Sequence, residues 1–509
     1  MTTQQVPGRV HRSRPGPTPP RRPASRGPVG RGRLGTGLAG LQERWGRLVG
    51  ADEAELAPHR HPGPAYALFA LALALYPVHQ LLTRGRWIAD GAMWAEMATN
   101  YFVKANSPFL TERLFGPDAG YIPLPQRLIA MVGADLGISP SAMPYFYTGS
   151  AIVGAALLIS PLCLPVFRPV IASDGLRFAL ALALMLLPDF ESRTFINFTY
   201  FAVVPAVALT ALAAVGREVP RWAWFLPLFI LSKPGVLAVL PAMVVVAVLS
   251  PGRFRRIAAV SAVLGVVQIV RLAISGSTGP SLLQESDQSA VSKLFTAGKY
   301  TVGIIGRLLA GPDAVLGVYP WMFFGIALIL LLGAGVFALR SRAAPLVPIG
   351  LSLAAFTMLV NCFSFSAAFS RDMALLSVPT FDRRFVVALI GVLFVAAALL
   401  AMVLESPRVA RPWGRFDRAQ VVRAASIAAT ALFALWFVAS GWLRYAEAVN
   451  QPFGVPTGDV SQWQEMSTVI VNTGEPVVCV PIEPFSWVYG RECANLLPTQ
   501  GVPFTFAWT

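Results

Sequence analysis

Long apolar runs alternate with short basic turns along most of the chain, and several runs have the length that crosses a bilayer. The first reads A-Y-A-L-F-A-L-A-L-A-L-Y-P-V-H-Q-L-L, from Ala65 to Leu82. Others fall near 143–167, 175–188, 198–215, 257–274, 318–339, 345–361, 385–404 and 424–442. Arginines mark the turns at alternate ends: Arg168 and Arg177, Arg217 and Arg221, Arg340 and Arg342, then Arg408 to Arg423. The run 222–250 differs, because S-K-P-G interrupts it at Ser232 to Gly235 and arginines flank both ends. A single span would place its ends on opposite faces, so two short helices meeting at Lys233-Pro234-Gly235 are predicted. The pattern predicts an all-α polytopic membrane protein with about eleven spans, an odd count that puts the two termini on opposite sides.

Composition agrees with that class. Hydrophobic residues make up 55% of the 509 and charged residues 13%, well below the roughly 25% of a soluble domain. A net charge of +15 would raise nucleic acid as a partner in a soluble protein. Here the basic residues lie in the N-terminal tail and the short turns, which the positive-inside rule explains, so no nucleic-acid partner is expected. The first 33 residues carry eight arginines and no acid. Residues 1–62 are therefore predicted to be a disordered cytoplasmic tail that touches anionic lipid headgroups. It has no apolar core before a cleavage site and does not read as a signal peptide.

The transmembrane domain is expected over 63–442, with an extracytoplasmic loop at 84–123. Residues 443–509 follow on the extracytoplasmic side, with six acids against two basic residues. Strand-like pieces such as V-V-C-V-P-I (Val477 to Ile482) predict a small α/β cap there. Cys479 and Cys493 are its disulfide candidates, and spacing alone leaves open whether they pair or stay separate thiols. The four cysteines include no C-x-x-C pair, which argues against zinc. All four histidines lie at or before His79. That excludes chemistry needing an imidazole base deep in the later spans, histidine-dependent O-acyl transfer included.

The stretch Trp87 to Arg127 is the richest in candidate chemistry. It sets Asp90, Glu96, Glu112 and Asp118 among aromatics and prolines directly after the first span. Leu124 to Ile138, which carries Arg127 and Asp135, reads as an amphipathic helix lying at the interface. Asp90 is open to two readings, a reactive carboxylate or the N-cap of a helix starting at D-G-A-M-W-A-E. Lys233 is also conspicuous, because a cation between apolar stretches calls for a partner or an anionic ligand.

A basic tail, one span and a long outer loop opening on an acid and aromatics resemble the GT-C class of integral membrane glycosyltransferases. The segments G-Y-I-P-L-P-Q-R-L-I-A (Gly120 to Ala130), F-I-N-F-T-Y-F (Phe195 to Phe201), L-S-K-P-G-V-L-A-V-L-P (Leu231 to Pro241) and R-R-F (Arg383 to Phe385) are similar to pieces of bacterial members. The likeness spreads over most of 65–490. It implies a sugar transferred from a polyprenyl-phosphate donor to an extracytoplasmic cell-envelope acceptor, in a bacterial plasma membrane.

Such a transfer needs a carboxylate to take the acceptor's proton and a cation to meet the departing phosphate. By the resemblance Asp90 is the first choice for the base and Glu96 the second. Asp189 and Glu191, on a loop that approaches the first outer loop in that family, and Asn197 and Tyr200 are the candidates for binding substrate. Lys233, Arg271, Arg383 and Arg384 are those for the donor phosphate, Arg through paired donors and Lys as a compact charge. No metal ligand set is indicated, although Asp189 and Glu191 would suit a divalent cation. The competing function is a transporter or flippase of a lipid-linked or polar solute. Against it, the acids concentrate outside the spans and no internal repeat is visible.

Overall fold

The computed structural model describes residues 61–118, 120–186, 191–250, 252–274, 289–310, 341–364, 382–405, 424, 428, 462–472, 480–482 and 487–489. Nearly all of the predicted tail, the run 318–339, most of 424–442, Asp189, Cys479 and Cys493 lie outside these residues.

The described chain is mostly helical. In order it forms α1 (Gly63–Ala89), a π-helical turn at Met97–Phe102, α2 (Leu110–Phe115), α3 (Leu124–Asp135), α4 (Met143–Ile159), α5 (Asp174–Leu186) and α6 (Val203–Ala214). Then come α7 (Leu240–Leu249), α8 (Arg253–Ile274), α9 (Ala290–Ala310), α10 (Leu346–Ser364), α11 (Asp382–Glu405) and α12 (Trp463–Asn472). Strands β1 (Val480–Ile482) and β2 (Trp487–Tyr489) pair antiparallel, Val480 facing Tyr489.

Among the described residues, five helical stretches are long and apolar enough to cross a membrane: Gly63–Ala89, Met143–Cys163, Arg253–Ile274, Leu346–Phe363 and Phe385–Met402. Within the apolar runs at 175–188 and 198–215, the described residues hold helices of 13 residues in α5 and 12 in α6.

Two boundaries differ from the sequence pattern. The first helix continues past Leu82 to Ala89, bending at Arg84, whose backbone leaves the helical region (φ −134°, ψ 16°). Its guanidinium donates to Gln80 at 2.9 Å and lies 4.7 Å from the Trp87 ring. The Arg84 side chain is thus folded back along the helix, and the loop starts at Asp90. In consequence Asp90 follows the last residue of α1, and helix resumes only with the π-helical turn at Met97. The N-cap reading of Asp90 is therefore corrected: it sits at a helix C-terminus.

The interruption in 222–250 is present. One helical turn ends at Ile230, Lys233 is extended (φ −65°, ψ 139°), and a 3-10 turn over Pro234–Val239 leads into α7. Pro234 cannot donate the hydrogen bond that a continuous helix would need, so the ladder stops there.

Close packing of helices is made at glycines. A Cβ on Gly350 of α10 would strike the backbone of Gly391 of α11, and the reverse holds as well. Small residues at such a crossing let backbones approach where no hydrophobic force from water joins the helices.

Two poles are recognisable from the ends of α1. At its start, Arg168 donates to the His61 carbonyl at 3.3 Å. At its end, Tyr145 in the first turn of α4 donates to the Ala89 carbonyl at 2.9 Å. The second pole carries the acid-rich loop.

Candidate functional site

The loop between Asp90 and Pro123 is organised around Asp118, not Asp90. Asp118 and Tyr121 pair through their backbones. Asp118 N–H donates to the Tyr121 carbonyl at 2.8 Å and Tyr121 N–H returns to the Asp118 carbonyl at 3.0 Å. Gly120 sits at φ 86°, a conformation that glycine adopts without a Cβ penalty.

The Asp118 side chain is 2% exposed and accepts three hydrogen bonds. Asn100 donates to Oδ1 at 2.6 Å, while the Tyr101 and Tyr121 hydroxyls donate to Oδ2 at 2.9 and 2.8 Å. Burial first, then the Asp118 charge, holds both phenols well above their ordinary range, so they stay protonated donors. A buried carboxylate is tolerable only with such partners.

The nearby cations are engaged with backbone. Arg127, on α3, donates to the carbonyls of Asn100 at 2.6 Å and Gly116 at 3.2 Å, and its guanidinium lies 5.0 Å from the Tyr101 ring. Lys104 donates to the Pro117 carbonyl at 2.8 Å. Burial pulls the Lys104 ammonium below its usual value, and the Arg127 charge adds to that. Together these contacts clamp the two sides of the turn.

Lys233 joins from a distant part of the chain. Its ammonium lies 4.9 Å from the Tyr121 ring, in the range where a cation is attracted to an aromatic face. Gln268, fully buried in α8, fixes this approach. It accepts from Ile122 N–H at 3.1 Å and donates to the Ser232 carbonyl at 2.7 Å. Leu124 N–H donates to the Leu231 carbonyl at 2.8 Å. Buried irregular backbone needs such internal partners, and one amide supplies them to two segments.

Glu96 stands beside this network. It is half-buried, and its charge contributes to raising the Tyr101 and Tyr121 phenols. The backbone around it is unusual on both sides. Ala95 has φ 43°, rare for a residue with a Cβ, and the π-helical turn begins immediately after. Strained backbone of this sort collects at functional sites.

The other predicted residues fall as follows. Asp90 is 60% exposed at its side chain and 3.8 Å from Arg86, an exposed pair of little energetic weight. Asn197 is buried, its amide 3.5 Å from the Thr194 hydroxyl. The Tyr200 ring lies against Gly235, beside Lys233 and Pro234. Arg271 is half-buried three residues past Gln268 on α8. Glu191 opens the short turn Glu191–Arg193, and Arg383 and Arg384 lie in the first turn of α11. The structure thus brings Lys233 against Tyr121, with Glu96 near enough for its charge to raise Tyr101 and Tyr121, in a region built on Asp118, Tyr101, Tyr121, Arg127 and Gln268, which the sequence reading did not assign to the site. The turn signal P-D-A-G-Y was the available clue. Among the described residues no group of three or more His, Cys, Asp or Glu side chains is placed to hold a metal ion.

The C-terminal pieces pack on the same loop. Trp463 donates to the Pro140 carbonyl at 2.7 Å and Gln464 to the Gly91 carbonyl at 3.0 Å. Phe102 meets the Trp463 ring edge-on at 5.4 Å. Gly91, at φ 59°, leaves the room that Gln464 and Tyr145 occupy.

Comparison with protein-family models, with curated proteins and with solved structures finds no match in any of the three.

Proposed function

We propose that the protein is a membrane glycosyltransferase that moves a sugar from a polyprenyl-phosphate donor to an extracytoplasmic cell-envelope acceptor. One observation supports it above the others: a cation, Lys233, lies 4.9 Å from the ring of Tyr121, and a half-buried acid, Glu96, is near enough for its charge to raise the Tyr121 phenol, beside a network built on the buried Asp118. In this reading Glu96 takes the base role in place of Asp90. The acceptor hydroxyl attacks the anomeric carbon, its proton passes to Glu96, and the bond from that carbon to the phosphate oxygen breaks. The leaving polyprenyl phosphate keeps the electron pair, and Lys233 meets its charge. Asp118 holds Tyr101 and Tyr121 in position.

The test is transfer of labelled sugar from polyprenyl-phosphate donors in membranes containing the protein. Glu96→Gln should lower the rate by about 10²–10⁴, the usual contribution of a positioned base, while Asp90→Asn leaves it nearly unchanged. Full activity in Glu96→Gln would remove the base assignment. Movement of a lipid-linked solute across liposomes with no glycosidic bond formed would replace the enzyme with a transporter.

A further inference from the structure

The segment that carries Glu96 is held on both sides by residues from far along the chain. Gln464, in the first turn of α12, donates its amide to the Gly91 carbonyl at 3.0 Å and to the Ser141 carbonyl at 2.9 Å. Trp463 beside it is fully buried. It meets Phe102 edge-on at 5.4 Å and donates to the Pro140 carbonyl at 2.7 Å. One end of a single helix therefore grips the chain before Glu96, at Gly91, and after it, at Phe102. Strand β2 lies beside the π-helical turn as well.

The grip has its footing outside the segment. Pro140 and Ser141 belong to the turn that enters α4, where Ala142 N–H and Met143 N–H both donate to the Ser139 carbonyl at 3.0 Å. The helix that follows is one of the stretches suited to crossing a membrane. Between the two gripped points the backbone is strained, with Ala95 at φ 43°. A residue with a Cβ stays in that region only where its surroundings over-determine it. Ala92, Met93, Trp94, Met97 and Ala98 are buried around it, but apolar burial is non-directional and does not by itself fix the rotation of a peptide. The hydrogen bond at Gly91 is directional. Gly91 carries the complementary mark, since at φ 59° a Cβ there would strike the Gln464 amide.

We infer that Trp463 and Gln464 are positioning residues: the start of α12 brackets Gly91 to Phe102, holds the strained turn at Ala95 and so keeps the Glu96 carboxylate in its place. The inference rests on the base role proposed for Glu96. Without the bracket, Ala95 relaxes to negative φ and the peptide that follows it turns. Glu96 then points elsewhere, and the acceptor hydroxyl loses the group that takes its proton. Neither Trp463 nor Gln464 has to touch substrate for this.

The full chain in nanodiscs tests it. Gln464→Met keeps the length of the side chain and removes both donated hydrogen bonds. Trp463→Phe keeps an aromatic edge for Phe102 and removes the bond to Pro140. Hydrogen–deuterium exchange over 92–102 should rise several-fold in each variant, with exchange over 147–158 of α4 unchanged. In transfer of labelled sugar, Gln464→Met should lower kcat by about 10–10²-fold at unchanged KM, the scale on which misplacing a reacting group by about 1 Å slows a reaction. The same substitution added to Glu96→Gln should cost nothing further, because its effect passes through that carboxylate. Exchange over 92–102 equal to the parent in both variants would overturn the bracket. An equal loss of kcat from Gln464→Met in the parent and in Glu96→Gln would overturn the positioning role. The exchange measurement needs no transfer reaction, so a parent that forms no glycosidic bond would remove the proposed function while exchange still decides whether α12 holds the turn.

Discussion

Two acidic side chains, one at each pole, are stabilised in opposite ways. Asp174 opens α5 near the start of α1 and is held by two arginines. Arg168 donates to its two oxygens at 2.9 and 2.7 Å, and the buried Arg177 forms a second ion pair with it. Arg177 spends its other donors on the carbonyls of Leu162 at 3.0 Å and Ile171 at 2.5 Å. Asp118, beyond the other end of α1, is instead held by one amide and two phenols. Its neighbouring cations, Arg127 and Lys104, grip backbone carbonyls. A carboxylate locked by forked arginines is a joint between helices. A carboxylate held by one amide and two phenols keeps both phenols aligned at the centre of the candidate site.

The sharpest way to break this contrast is Asp174→Ala. It would leave Arg177, 1% exposed at its side chain, without its charge partner. Removing one member of a buried pair costs about 3–5 kcal/mol. The variant should lose most of its folded yield in detergent, read by thermal unfolding and size-exclusion profile. A variant as stable as the parent would show that the joint is unnecessary.

Asp118→Asn is the milder counterpart. The amide keeps an oxygen that accepts but turns a donor toward at least one of Asn100, Tyr101 and Tyr121. The cost should be about 1–3 kcal/mol, the scale of one buried polar group left unsatisfied. The protein should still fold, with the loss concentrated in the sugar transfer proposed for it. If Asp118→Asn unfolds the protein as thoroughly as Asp174→Ala, the contrast between joint and site collapses.

The two poles were also unequally legible in the sequence. Arg168 and Arg177 stood out because basic turns between apolar runs follow a simple rule. The break at Lys233-Pro234-Gly235 was equally plain, since proline and a charge interrupt an apolar run. The Asp118 network was not, because its parts are far apart in the chain. Asn100 and Tyr101 precede Asp118 by 18 and 17 positions, and Gln268 lies 146 positions beyond Ile122. Periodicity reports which side of an element is apolar and says nothing of which distant amide will reach it. Asp90 drew attention for a local reason, an acid before glycine and aromatics. The same local pattern fits the end of a helix whose last turn carries Arg86 and Trp87, and the longer α1 places Asp90 there.

The smallest expected effect is a pH dependence confined to the arginine-held pole. Burial alone would raise the Asp174 carboxyl, but the Arg168 hydrogen bond and the Arg177 charge outweigh it and hold the group below its ordinary value. A carboxyl depressed in the folded state contributes stability in full above its unfolded value of about 3.9. That contribution is lost as the pH falls through the lower folded value, because the unfolded chain takes up the proton first. Stability should therefore fall below about pH 4 in the parent, and Asp174→Asn should lack that component of the fall. Thermal unfolding across that range, on parent and variant together, isolates it. A slope identical in the two proteins would mean that the arginines grip Asp174 no more tightly in the folded chain than in the unfolded one, and the contrast between the poles would then rest on geometry alone.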